Sequence, residues 1–116
     1  MENQQENQQG NQEFKITVTY QSKSVAVKVV NPKHDIKETV RNIKKLAQDK
    51  PDKYWPLSEM NSGGQRITYL LGRINLENGK KEVFHEKNTD GEIQTLFDYG
   101  VKPGDNLILI NKVIAG

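Results

Sequence analysis

Apolar and polar residues alternate with a period of two where the hydrophobic pattern begins. In Phe14–Tyr20 (FKITVTY), Phe14, Ile16 and Val18 fall on one face, and Lys15, Thr17 and Thr19 on the other. That alternation predicts a half-buried strand. After a short polar turn, Gln21–Lys23, it resumes over Ser24–Val30 with Val25, Val27 and Val29 on one face. Two strands joined so closely predict an antiparallel hairpin. Asn31-Pro32 breaks the second strand, because proline has no N–H for the ladder. The period then changes. Ile36, Val40, Ile43, Leu46 and Ala47 recur at helical spacing and form one apolar stripe. Asp35 and Glu38 give an Asp-x-x-Glu capping box. Lys44, Lys45 and Lys50 suit the negative end of the helix dipole, and Pro51 stops the helix.

Residues 51–64 (PDKYWPLSEMNSGG) read as a long loop. Tyr54, Trp55, Leu57 and Met60 are too apolar for a bare linker. They either cap the core or form a recognition loop, and capping is favoured because an exposed Trp is unfavourable. Gln65–Leu71 (QRITYLL) reads as a third strand, with Ile67 and Tyr69 on one face and Gly72 ending it. Ile74–Leu76, Glu77-Asn78-Gly79-Lys80 and Val83-Phe84 predict a small hairpin, since Asn-Gly tolerates the positive φ of a tight turn. A polar loop (residues 86–92), a short helical turn within Ile93–Tyr99 and a turn over residues 101–105 lead to a last strand, Leu107–Ile110. Residues 111–116 read as a flexible tail. The expected fold class is α+β, a mixed sheet packed on one main helix.

Residues 1–13 (MENQQENQQGNQE) depart from all of this. They hold three Glu and no Lys or Arg, so residues 14–116 carry all 17 basic groups against 12 acidic ones. Such a polar stretch buries too little apolar area to offset its ordering entropy, and a disordered tail is expected. The basic excess is interleaved with acids, and the chain has one Trp, four Tyr and three Phe. A nucleic-acid binder would combine a basic stripe with stacking rings; solvated surface is the better reading.

The 116 residues fit one domain. No apolar run nears the ~20 residues of a membrane span. The first residues lack the basic and apolar regions of a secretory signal. With no Cys there is no disulfide framework, thiolate zinc site or catalytic thiol. The absence of Cys fits a reducing, cytoplasmic setting. His34 and His85 lack a partner at metal-ligand spacing and read as surface residues. No G-x-S-x-G, Walker loop or G-x-G-x-x-G occurs. No cofactor site and no enzyme activity are expected.

Two local sequences and one order of elements carry a resemblance. Thr95-Leu96-Phe97-Asp98-Tyr99 resembles the T-L-S-D-Y of ubiquitin, and both precede a turn and an apolar strand. From Thr95 the match runs without a gap to Gly116. Gln65-Arg66-Ile67 resembles the Q-R-L that opens ubiquitin's third strand. The hairpin-then-helix order of residues 14–49 also matches. The chain thus resembles the ubiquitin-like β-grasp family over residues 14–116, as a divergent member of prokaryotic type, with insertions at 51–64 and around 77–92.

The resemblance implies a protein modifier. The Gly116 carboxylate would be adenylated with ATP and Mg²⁺, passed to an enzyme thiol as a thioester, and joined to target lysines as an isopeptide. An activating enzyme, a conjugating enzyme and a deconjugating protease would act in trans on a monomer, with no nucleic acid or membrane involved. Glycine suits this position because it lacks Cβ. Ala115 departs from the family's second glycine. Lys112 stands where ubiquitin has an Arg, which keeps the charge but loses the bidentate fork. Val113 and Ile114, exposed and apolar, would be read by the activating enzyme with Lys112. Strand parity turns Leu107 and Leu109 inward and Ile108 and Ile110 outward. Ile110 and Thr68 match two positions of the family's apolar binding patch, flanked by Arg66, while the third lies in the polar Gln21-Ser22 turn. The 51–64 loop either covers this face or leaves it open. The alternatives are a non-conjugated, secretion-associated adaptor and, last, a sulfur carrier.

Overall fold

The computed structural model describes residues 14–29 and 33–114. The tail over residues 1–13, the strand end at Val30, the Asn31-Pro32 break, and Ala115 and Gly116 lie outside the described residues. Among the described residues the architecture is α+β: a five-stranded mixed sheet and one α-helix.

β1 (Phe14–Tyr20) and β2 (Lys23–Val29) pair antiparallel, from Phe14 opposite Val29 to Tyr20 opposite Lys23. The turn is tighter than the three residues expected. Gln21 and Ser22 alone make it, at φ 50° and 69°, the left-handed pair whose twist matches the flanking strands. α1 (Ile36–Asp49) follows. Ile36, Val40, Ile43 and Ala47 are buried, as the apolar spacing requires. The capping box does not form: Asp35 makes no side-chain cap bond. Its carbonyl instead accepts from the Thr39 N–H at 2.9 Å and the Thr39 hydroxyl at 2.7 Å, which satisfies a buried polar side chain. Glu38 turns outward to Arg41, 3.0 Å away. No basic residue lies in the last helical turn.

β3 (Arg66–Ile74) runs through Gly72 rather than ending there. β4 (Lys81–Phe84) approaches so closely that a Cβ at Gly72 would collide with the Glu82 carbonyl. Glycine therefore lets the strand continue, which is the other meaning of Gly in a strand. Leu76, expected in the hairpin's first strand, is fully exposed on the 75–80 turn. The helical turn expected within Ile93–Tyr99 is a single 3-10 turn, Phe97–Tyr99. β5 (Asn106–Ile114) is twice as long as the pattern indicated. It lies at the sheet's centre in the order β2-β1-β5-β3-β4, parallel to β1 and antiparallel to β3.

The core lies between α1 and the sheet, and the 51–64 loop closes it. Tyr54 and Trp55 are buried and Leu57 packs against them. The Trp55 indole N–H donates to the Lys23 carbonyl at 3.0 Å, and the Tyr69 hydroxyl donates to the Ser58 carbonyl at 2.7 Å. Met60 takes no part in the capping and stays exposed; it bridges Arg66 at the β3 edge.

Candidate functional site

The residues singled out by sequence converge on the β3/β5 ladder. Its register sets Arg66 opposite Ile114, Thr68 opposite Lys112, Leu70 opposite Ile110, and Gly72 opposite Ile108. Side chains alternate between faces along a strand, and Leu107, Leu109, Tyr69 and Leu71 point into the core. All eight ladder residues therefore share the face away from α1. Ile108 and Ile110 are half-buried there, as strand parity requires. The apolar residues of the 51–64 loop enter the core on the helix side and leave this face open.

Two members of this surface were not legible beforehand. Leu70 is half-buried beside Ile110, and parity within β3 alone could have found it. Gly72 sits next to the Ile110 side chain, whose Cδ1 would be 3.2 Å from an added Cβ. The absent side chain lets Ile110 lie flat over the sheet, so the apolar centre of the face is Leu70, Ile108 and Ile110.

The C-terminal segment differs from the expectation. Residues 111–114 are strand, not free tail, because they pair residue for residue with Arg66–Tyr69. The Asn111 amide also donates to the Tyr20 hydroxyl at 3.3 Å. Tyr20 and Tyr69 meet edge to face at 6.0 Å. Burial, reinforced by Tyr20, pushes the Tyr69 hydroxyl pKa up, against the lowering effect of its bond to Ser58. Lys112, Val113 and Ile114 thus do not all share one face of the strand. Lys112 and Ile114 lie on the outer face, whereas Val113 faces the opposite way beside Ile67. Val113 and Ile114 are each 44% exposed. Among the described residues no carboxylate lies within ion-pair distance of Arg66 or Lys112.

His34 is not a surface residue. Its ring lies between Phe14 at 4.7 Å and Phe97 at 4.8 Å, with the backbone at φ 57° and a buried, unpartnered Nδ1. Burial lowers its pKa from 6.5, and Asp35 opposes the shift. The folded chain therefore resists protonation that the unfolded chain accepts. The stabilising contribution is present above pH 6.5 and is lost as pH falls through the lowered value. Thermal unfolding should show a midpoint that declines between pH 7.5 and 5.5. His34→Asn, which tolerates the left-handed backbone, should flatten that decline. Parallel curves for the two proteins would rule His34 out as its source. His85 is exposed, and its backbone N–H donates to the Tyr99 hydroxyl at 2.9 Å. Among the described residues no group of three or more His, Asp or Glu is arranged to hold a metal ion, and no helix is long and apolar enough to cross a membrane.

The Thr95–Tyr99 segment is a stapled turn. The Asp98 carboxylate accepts from the Thr95 N–H at 2.8 Å and from its hydroxyl at 3.2 Å. Leu96 is fully buried and Tyr99 stacks on Phe84 at 4.3 Å. These residues make structure rather than chemistry. No protein-family model matches the chain, and no curated protein matches it.

Proposed function

We propose that the chain is a ubiquitin-like modifier of β-grasp fold, conjugated through the carboxylate of Gly116. The carrying observation is the β3/β5 ladder. It runs the central strand outward to Ile114, two residues before Gly116, and gathers Arg66, Thr68, Ile110 and Lys112 beside that exit. The hairpin–helix order and the strand order β2-β1-β5-β3-β4 support the fold assignment. A stapled Thr-Leu-x-Asp-Tyr turn before the last strand supports it too.

In this reading the Gly116 carboxylate attacks the α-phosphorus of Mg²⁺-ATP and releases pyrophosphate. A thiol of the activating enzyme displaces AMP to form the thioester. A target lysine amine then displaces the thiol, leaving an isopeptide bond. The modifier supplies only the acyl group and the surface that presents it. Gly116 serves whether it is made as the chain end or exposed by trimming. Incubation with the cognate activating enzyme, ATP and Mg²⁺ should yield a thioester that dithiothreitol cleaves. Deleting Gly116 should abolish it, and an undiminished yield would exclude conjugation through this residue.

The open face of Leu70, Ile108 and Ile110 favours a second reading, a non-conjugated adaptor. In that case Gly116 is dispensable, and Ile110→Asp abolishes partner binding. The sulfur-carrier reading predicts a gain of about 16 Da on the purified chain, the difference between sulfur and oxygen at a terminal carboxylate.

A further inference from the structure

α1 is segregated by charge around its axis. Asn42 on one flank donates from Nδ2 to the Lys28 carbonyl of β2 at 3.2 Å. Lys37, Arg41, Lys44 and Lys45 lie on the flank toward β3 and wall an open cleft of about 510 Å³. Val40 and Tyr69 line it within, and Thr68, at the β3 edge, and Glu86 border it. The cleft opens where β3 lacks a neighbouring strand among the described residues. β4 pairs with β3 only from Leu71 to Ile74, and Met60 bridges it only at Arg66.

Arg41 has Glu38 beside it, but among the described residues no carboxylate lies within ion-pair distance of Lys37, Lys44 or Lys45. Lys37 and Arg41, and Arg41 and Lys45, are like charges at i,i+4, an arrangement that disfavours the helix. A ligand of opposite charge relieves that repulsion.

The geometry points to a docking site for an extended acidic segment of a partner protein, held between α1 and the open edge of β3. Lys37 and Lys44 are seven residues apart in the helix, about 10 Å along its axis. Carboxylates four residues apart in an extended chain share one face about 13 Å apart, a separation that two flexible lysine side chains reach. An apolar residue between them meets Val40 and Tyr69. A nucleic acid fits less well. Tyr69 is buried and offers no face on which a base could stack, and no other ring lines the cleft. The site is independent of Gly116, so its fate and that of the conjugation reading separate.

The test titrates the ¹⁵N-labelled full chain with a capped ten-residue peptide of alternating Asp and Glu interrupted by one central leucine. Amide shifts should centre on Lys37, Lys44, Thr68 and Tyr69. K44E/K45E should weaken binding about tenfold or more, and raised salt should weaken it severalfold. K80E/K81E makes the same net-charge change on the 75–84 hairpin and should stay within about twofold. Shifts centred elsewhere, no shifts at millimolar peptide, or equal weakening by both double reversals would overturn the proposal. So would a ten-nucleotide RNA that binds these residues more tightly than the peptide.

Discussion

Replacing Trp55 with alanine should cost about 3–5 kcal/mol of folding stability, the usual range for emptying a buried aromatic site. Trp55 is 2% exposed and belongs to the core cluster, although it sits in a segment without regular structure. Its indole N–H is tied to the Lys23 carbonyl at the start of β2, and Tyr54 packs beside it at 6.0 Å. The substitution therefore opens a cavity and removes one of the two hydrogen bonds that fasten the 51–64 loop to Lys23 of the first hairpin, leaving the one from the Lys23 ammonium to the Asp52 carbonyl. Against a total of about 5–15 kcal/mol for a domain, such a loss leaves the chain marginal. Urea unfolding followed by far-ultraviolet circular dichroism should show a much lower midpoint at similar slope. Trp55→Phe should recover part of the loss, because it refills most of the volume without the N–H. A change below about 1 kcal/mol for the alanine variant would mean that the loop is not a structural cap.

The contrast between Trp55 and Met60 shows where sequence reading works. Hydrophobicity alone placed both in one capping loop. Only the pairing of Met60 with Arg66 at a sheet edge explains why one is buried and the other exposed. Period-two and helical patterns placed β1, β2 and α1 within a residue or two, because each buries one face against the same core. The end of β5 was not legible. Asn111 and Lys112 interrupt the apolar run, and what holds them is non-local: the ladder to Arg66–Tyr69 and the Tyr20 hydroxyl. Gly72 misled for a related reason. A glycine that ends a strand and one that admits a neighbouring backbone look alike until β4 is in place. His34 looked like surface because its neighbours Phe14 and Phe97 are distant in sequence, and its left-handed backbone leaves no mark on composition. On the candidate surface, parity alone sufficed for Ile108 and Ile110 and within β3 would have sufficed for Leu70, whereas the role of Gly72 required the neighbouring strands in place.

If the chain is conjugated as proposed, locking the end of β5 to β3 should block activation even though Gly116 is intact. Two residues beyond Ile114 reach at most about 7 Å, too short to carry a carboxylate deep into an enzyme's channel from a strand still bound to the sheet. Freeing Lys112, Val113 and Ile114 from the ladder extends the reach to about 17 Å. This stretch is suited to opening. Val113 and Ile114 are 44% exposed, and Lys112 has no ion-pair partner among the described residues. Anchorage strengthens only at Asn111 and at the buried Leu109. Ile67 and Val113 face each other across the ladder. Opposed antiparallel residues have Cα atoms about 4.5–5.5 Å apart, within the span of a disulfide. The chain has no cysteine of its own, so an I67C/V113C pair can form only the intended bond. Thioester yield with the cognate activating enzyme, read on non-reducing gels, should fall at least about tenfold in the oxidised variant, as for loss of an essential conformational step worth 1.4 kcal/mol or more. Reduction before the assay should restore it. Equal yields from oxidised and reduced protein would show that the paired strand end is already the form the enzyme accepts. Failure of both forms would instead assign Val113 or Ile67 a direct contact, which alanine at each position separates from the lock.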